Sequence, residues 1–322
     1  MRNEIIIQNS GNGKIYDITE VVSKITLDEK IEGSPTKISF KFKVDSPIEL
    51  ENGSVVRYTH NGIKKFYGFV FKIGTTQDEE IDITAYDQLR YFKNKDTYVF
   101  KTNTLEERLR EMAKKNNLRT GRIDATGAYL PSKIYDNKTM GDVLQDGIDQ
   151  LLRNTGRKFM IRDNFGELEL INISTLKTNL VVTGGSLLST FNYEESIDSD
   201  TYNQVKIIKD NKDTKKREVY MVKDSNNQRK WGLLQYYASV DEKTNDAQIR
   251  QKAEVALKHY NREKKKLTLE CLGDDRVRAG SGLYIDIVSN NGRNFKQYVL
   301  VTAVKNTYDT NTHTMSLEVE VE

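Results

Sequence analysis

The sequence predicts a mainly β protein of the α+β class, with one β module at each end of the chain and a helix-containing region between them. Three observations carry that reading. Apolar residues recur with a period of two over the first hundred positions, the period becomes helical over 102–156, and it returns to two from Leu267 to the end. At 322 residues, the chain has room for two domains of about 150 residues each.

The elements follow in order. Ile38, Phe40, Phe42 and Val44 alternate with Ser39, Lys41 and Lys43, the pattern of a half-buried strand. In SVVRYTHNGIKKFYGFVFKIG, Asn61-Gly62 separates two β-rich runs and suits the positive φ angles of a type I′ hairpin. EIDITAYDQL extends the meander through Ile81, Ile83 and Ala85. Thr104 then opens TLEERLREMAKKNN with Glu107 three residues on, the spacing of a capping box; Leu105, Leu109, Met112 and Ala113 share one helical face. A second helix starts near Thr139, buries Val143, Leu144, Ile148, Leu151 and Leu152, and stops at Gly156. KFMIRDNFGELELINI reads as a hairpin turning at Asp163 to Gly166. A third helix is expected from Asp246 to Lys266, with Ile249, Ala253, Ala256, Leu257 and Tyr260 inward. The expected division is 1–101, a first β module; 102–204, an α+β middle with two helices and a hairpin; and 205–322, a second β module preceded by the helix near 246–266.

The two ends echo one another. Gly53-Ser54, Asn61-Gly62, the run Tyr67 to Ile73 and then Glu80 to Ala85 reappear, in order and at similar spacing, as Gly280-Ser281, Asn291-Gly292, Tyr298 to Val304 and Met315 to Val321. Taken at face value, one β module occurs twice.

Composition narrows the function. Fifty Lys and Arg against 47 Asp and Glu leave a net charge of +3, too balanced for a dedicated nucleic-acid binder. Mean hydropathy is −0.67, and 17 Tyr with 11 Phe argue against disorder. Cys271 is the sole cysteine, which excludes an internal disulfide and a thiolate zinc site. His60, His259 and His313 lie far apart with no metalloenzyme spacing, so no metal site is expected. The N-terminus lacks the apolar run of a signal peptide, and no stretch approaches the roughly 20 apolar residues of a membrane span. Synthesis and initial residence in a reducing cytoplasm are therefore expected.

No motif carries catalysis. GNGK at 11–14 is too short for a P-loop, and TGGS at 183–186 and GSG at 280–282 read as tight turns. The pairs Glu106/Glu107, Glu194/Glu195, Asp198/Asp200 and Asp274/Asp275 have no surrounding motif and read as solvated faces. Cys271 reads as a buried thiol on a sheet face. Lys264 to Lys266 suit a helix C-terminus, and Lys212 to Arg217 a surface hairpin. Trp231, with Tyr236 and Tyr237 nearby, reads as a domain-core anchor, with a partner interface as the alternative. No catalytic, cofactor-binding or metal residues are assigned, and no cofactor is expected.

EIDITAYDQLRYFKNKDTYVF, the TLEERLREMAKK helix and LGDDRVRAGSGLYIDI resemble the corresponding parts of the XkdQ/YqbQ-like family, the baseplate hubs of contractile phage tails, defective prophages and phage-tail-like bacteriocins. The resemblance spans nearly the whole chain and rests on structural motifs, so it brings no active-site residue. It implies two tube-like β-barrel modules per chain and a homotrimer whose six modules match a hexameric tail tube above and a trimeric central spike below. The implied partners are the spike protein, the tube protein and other baseplate or wedge proteins, with DNA or a tape-measure protein passing through the lumen. The implied role is structural and not enzymatic, in a particle assembled in the bacterial cytoplasm and then released. The alternatives are a tail-associated cell-wall hydrolase and a receptor- or carbohydrate-binding tail protein.

Overall fold

The computed structural model describes residues 2–31, 33–43, 48–77, 79–211, 216–242, 244–288 and 292–321. Val44, Asn291 and residues 212–215 of the basic run lie outside them. The chain forms two compact units, one from Met1–Asn192 with Thr268–Val321, the other from Tyr193–Leu267.

The larger unit opens with a β meander: β1 (Asn3–Gln8), β2 (Ile15–Asp17), β3 (Val22–Lys30), β4 (Lys37–Phe42), β5 (Val55–His60), β6 (Ile63–Thr75) and β7 (Ile81–Tyr86). Alternation sends Ile38, Phe40 and Phe42 of β4 into a core with Ile5, Ile7, Tyr58, Val70 and Ile83. Asn61 and Gly62 both have positive φ, 50° and 79°, as the Asn-Gly turn requires.

The middle comprises β8 (Lys95–Phe100), β9 (Asn103–Thr104), α1 (Leu105–Lys115), β10 (Thr120–Ile123), β11 (Tyr129–Leu130), β12 (Lys133–Thr139), α2 (Met140–Thr155), β13 (Phe159–Asp163) and β14 (Leu168–Asn172). Both helices begin with a capping box, Thr104 with Glu107 and Thr139 with Asp142. Thr104→Ala removes the acceptor for the Glu107 N–H, and a loss of about 1 kcal/mol is expected in urea unfolding. Leu105, Leu109, Met112 and Ala113 of α1 meet Val143, Leu144, Ile148 and Leu151 of α2 in one core. Leu152 differs from expectation: it lies at the rim of the α2 stripe and is exposed. Arg108 is fully buried there, donating to Asn103 Oδ1 (2.6 Å) and the Pro131 carbonyl (2.7 Å) with its guanidinium over Phe100. The hairpin expected at Asp163 to Gly166 is β13–β14.

Strands β15 (Lys177–Thr183) and β16 (Leu188–Ser196) follow. The smaller unit holds β17 (Gln204–Asn211), β18 (Lys216–Lys223), α3 (Ser225–Trp231), β19 (Gln235–Val240) and α4 (Asp246–Tyr260). Its sheet runs β18-β17-β19, and Val205 and Ile207 of β17 pack on Ile249 and Ala253 of α4. The anchor expected at Trp231 is instead a cluster of Tyr202, Tyr236 and Tyr260; Trp231 is half-buried on α3, with Lys230 over its ring. Asn261 caps α4, so the helix ends before Lys264 to Lys266. Those lysines begin β20 (Lys264–Leu272), in which Leu267, Leu269 and Cys271 alternate inward. The strand period, and not the charge of a helix end, decides their place.

The chain ends with β21 (Gly282–Val288), β22 (Asn294–Asp309) and β23 (His313–Glu320). The mainly β class is as expected, with one difference: among the described residues the end modules do not close as two separate barrels. They share one 13-stranded sheet in the order β16-β20-β23-β22-β3-β4-β7-β6-β5-β1-β2, with β21 branching from β22 and β15 pairing with β21. The cause is the length of β22. Its 16 residues outrun the 7 of β21, and β3 fills the edge left over along Ala303 to Asp309.

Candidate functional site

The sequence echo is repeated hydrogen bond by hydrogen bond. Gly53 N–H donates to Val70 O (2.7 Å) and Val70 N–H to Ser54 O (2.8 Å); Gly280 N–H donates to Val301 O (2.9 Å) and Val301 N–H to Ser281 O (2.9 Å). Gly53 and Gly280 have φ of 92° and 90°, a region open to glycine. Each long strand then slips register against its partner, between Val70 and Lys72 in β6 and between Val301 and Ala303 in β22. Strands β4, β5, β6 and β7 thus correspond to β20, β21, β22 and β23. Strand β3, which pairs with β4, corresponds to β16, which pairs with β20. The β3–β22 pairing is the joint between the two copies.

Buried polar groups lock this joint. The alternation that buries Ile25 and Leu27 of β3 also buries Glu29. Arg278, on the loop after β20, donates Nε to Glu29 Oε1 at 3.0 Å and Nη2 to the Asp163 carbonyl at 2.9 Å. Burial opposes the guanidinium charge, but Glu29 together with Asp163 and Glu169 outweighs it and holds Arg278 above its ordinary range. Asp163 accepts from Gln88 Nε2 (2.7 Å) and Gly166 N–H (2.8 Å); Asp87 accepts from Thr36 N–H (2.9 Å) and Leu89 N–H (2.9 Å). One polar chain therefore ties β3, β13, the turn at Gln88–Lys93 and the loop after β20.

Burial, reinforced by the neighbouring Asp163 charge, pushes Asp87 up to about 8; burial pushes Asp163 up to about 6. Both start from 3.8. The folded pair binds protons more tightly than the unfolded chain, so its stabilisation is full below that value and is lost as pH rises through 6 and 8. His313 acts oppositely: burial lowers it from 6.5 to about 4, so its contribution is lost as pH falls below 6.5. Above pH 6.5 the aspartate pair governs, and the urea midpoint is expected to fall towards pH 8. Asp163→Asn is expected to flatten that slope; an unchanged slope would show that the pair is not its source.

A second cluster adjoins the joint. His60 at the end of β5 and His313 at the start of β23, 253 positions apart in sequence, bring their rings to 5.2 Å between centroids. His60 Nδ1 lies 2.8 Å from Asp275 Oδ2. Lys65 Nζ donates to the Asp275 main-chain O (2.8 Å) and lies 2.8 Å from Oδ1, the latter a contact of charge without hydrogen-bond alignment. Burial works against ionisation of Asp275, but Lys65 and His60 overcome it and hold the carboxyl below the usual range. Sequence spacing gave no sign of this cluster.

Several of the other singled-out residues are occupied locally. Glu107 caps α1 and Glu106 accepts from Thr126. Asp200 pairs with Lys264, Asp274 with Arg276, and Tyr193 donates to Glu195. Burial pushes the Cys271 thiol up to about 12, leaving it protonated.

This duplicated meander joined into one sheet, with an α+β middle, is similar in fold to a solved prophage tail protein. The structure matches the 43 kDa tail protein of prophage MuSo2 from Shewanella oneidensis with a TM-score of 0.70 at 14% identity, covering 98% of each chain. The chain belongs to the YqbQ-like family, whose model matches residues 25–320. It is 28% identical over 314 residues to the uncharacterized protein YqbQ of Bacillus subtilis, covering 94% of each, and 29% identical over 279 residues to the phage-like element PBSX protein XkdQ of the same organism, covering 84% of this chain and 82% of XkdQ. Among the described residues, no helix is long and apolar enough to cross a membrane.

Proposed function

We propose that this chain is the hub of a contractile-tail baseplate, a homotrimeric adaptor joining a hexameric tail tube to a trimeric central spike. Membership of the YqbQ-like family, kinship with a phage-like element protein and a tail-protein fold support a place in a tail. The observation that carries the reading is the repeated module with one joint made inside the chain. In the second copy, β22 beyond Val301 receives β3. In the first, β6 beyond Val70 has β7 on one edge, and on the other β5 ends its pairing at Phe69. The counterpart of β3 is β16, the last strand in the sheet order.

The β16 of a neighbouring chain laid along β6 from Lys72 repeats the internal joint between chains. The contact is heterologous, and a three-fold rotation closes it into a ring in which three chains with two modules each supply six positions. The same pairing covers sheet edges that otherwise invite aggregation. The ring then joins tube to spike, nucleates tube growth and travels with the spike on contraction, assembling in the cytoplasm before release. Its role is structural.

Light scattering over a concentration series tests the symmetry. The expected mass is three times 37.1 kDa, alone or on addition of the cognate spike. A dimer, or a chain that stays monomeric with spike present, overturns three-fold assembly. Clearing of peptidoglycan by the isolated chain would favour a hydrolase instead.

A further inference from the structure

We propose that His60, Asp275 and His313 form a binding site for a divalent transition-metal ion of the zinc class, which staples the first β module to the second. One ligand atom from each residue lies within 4.8 Å of the others, and the His60 and His313 side chains are buried. Two imidazoles and a carboxylate match zinc and its neighbours, whereas calcium and magnesium favour all-oxygen sets. Three protein ligands leave a fourth position for water.

The surroundings orient these ligands. His313 Nε2 lies 2.9 Å from Asn306 Oδ1; an amide oxygen only accepts, so Nε2 carries the proton and Nδ1 keeps its lone pair. The ring is clamped. Tyr308 stacks on it at 4.2 Å, and a Cβ on Gly273 would lie 2.0 Å from its Cγ, so only glycine fits there. Asp275 Oδ1 is buried and accepts no hydrogen bond from the described residues. Lys65 Nζ, 2.8 Å from that oxygen, is the rival cation that the metal displaces.

The three ligands come from β5, the loop after β20 and the start of β23, so an ion here crosslinks positions 215 and 253 residues apart. It binds the folded state alone and raises its stability. The site stands on these groups and not on the hub reading.

The test is calorimetric titration of chelator-treated full-length protein with zinc chloride, with calcium chloride as control, and cobalt absorption as a geometric readout. The expected result is one saturable zinc site, no calcium site, and a tetrahedral cobalt spectrum. Asp275→Asn and His60→Gln are expected to weaken zinc at least about tenfold, and His259→Gln, on the exposed face of α4, to leave it unchanged. Lys65→Met is expected to tighten it; this gain, with the wild-type cobalt spectrum, decides the matter even where a ligand variant fails to fold. Absence of a saturable site, or one indifferent to Lys65→Met and Asp275→Asn, overturns the proposal.

Discussion

Arg278→Met is expected to destabilise the larger unit by about 3 kcal/mol, the low end of the range for breaking a buried ion pair, because 23% of the Arg278 side chain still meets solvent. Glu29 is 6% exposed and sits on β3 at the joint. Its carboxylate takes Arg278 Nε at 3.0 and 3.2 Å and Nη2 at 2.9 Å, and among the described residues its one further donor is the Ala279 N–H at 3.3 Å. Without Arg278 it is a buried charge held by one weak hydrogen bond, and the Asp163 carbonyl loses its donor too. Arg278→Lys is not expected to rescue, since an ammonium cannot span Glu29 and the Asp163 carbonyl as the guanidinium fork does. Glu29→Gln in the Arg278→Met background removes the stranded charge and is expected to recover part of the loss. Urea unfolding of both single variants and the double variant closes the cycle. Simple addition of the two single losses would mean that the pair is not what holds the joint.

What was legible in the sequence was local. A period of two gave the strands, Thr104 with Glu107 and Thr139 gave the helix starts, and Asn61-Gly62 gave the hairpin, because each signal is written within one or two turns of chain. The duplication was legible as well, since a Gly-Ser turn, an Asn-Gly turn and two β-rich runs recur in the same order at similar spacing. Long-range consequences were not. Nothing near His60 announces His313, because β5 and β23 belong to different modules that only the pairing of β3 with β22 joins into one sheet. Glu29 reads as a surface charge in LDEK until the partner from position 278 is known. Lys264 to Lys266 were misplaced because basic residues suit both a helix end and an exposed strand start. The excursion from Tyr193 to Leu267 lies between β16 and β20, where the first module has only the short β3–β4 connection, so the echo skipped over it.

Gly68→Ala is expected to cost about 3 kcal/mol, the upper end for overpacking, although the residue lies in an ordinary run of β6. A Cβ there would stand 2.3 Å from the Tyr86 carbonyl oxygen, 2.7 Å from the Tyr86 carbonyl carbon and 2.5 Å from Phe66 Cζ. A ring can turn aside; a backbone carbonyl at the end of a paired strand cannot. The approach is tight because β7 ends at Tyr86 beside the β6 register shift, and the chain then turns at once to place Asp87 against Thr36 and Gln88 against Asp163. Glycine in a strand marks such a crossing of backbones. Moving Tyr86 therefore disturbs the polar chain at the joint as well as the sheet. Gly74→Ala is the matched control on the same strand: its nearest neighbour would be Asp82 Cβ at 3.5 Å, ordinary contact, and its midpoint is expected to shift by less than about 1 kcal/mol. The two variants make the same chemical change six residues apart on one strand, so strand propensity cancels between them. Equal shifts in urea midpoint would place the cost in propensity and remove the crossing from the account; a large loss at Gly68 alone fixes it there.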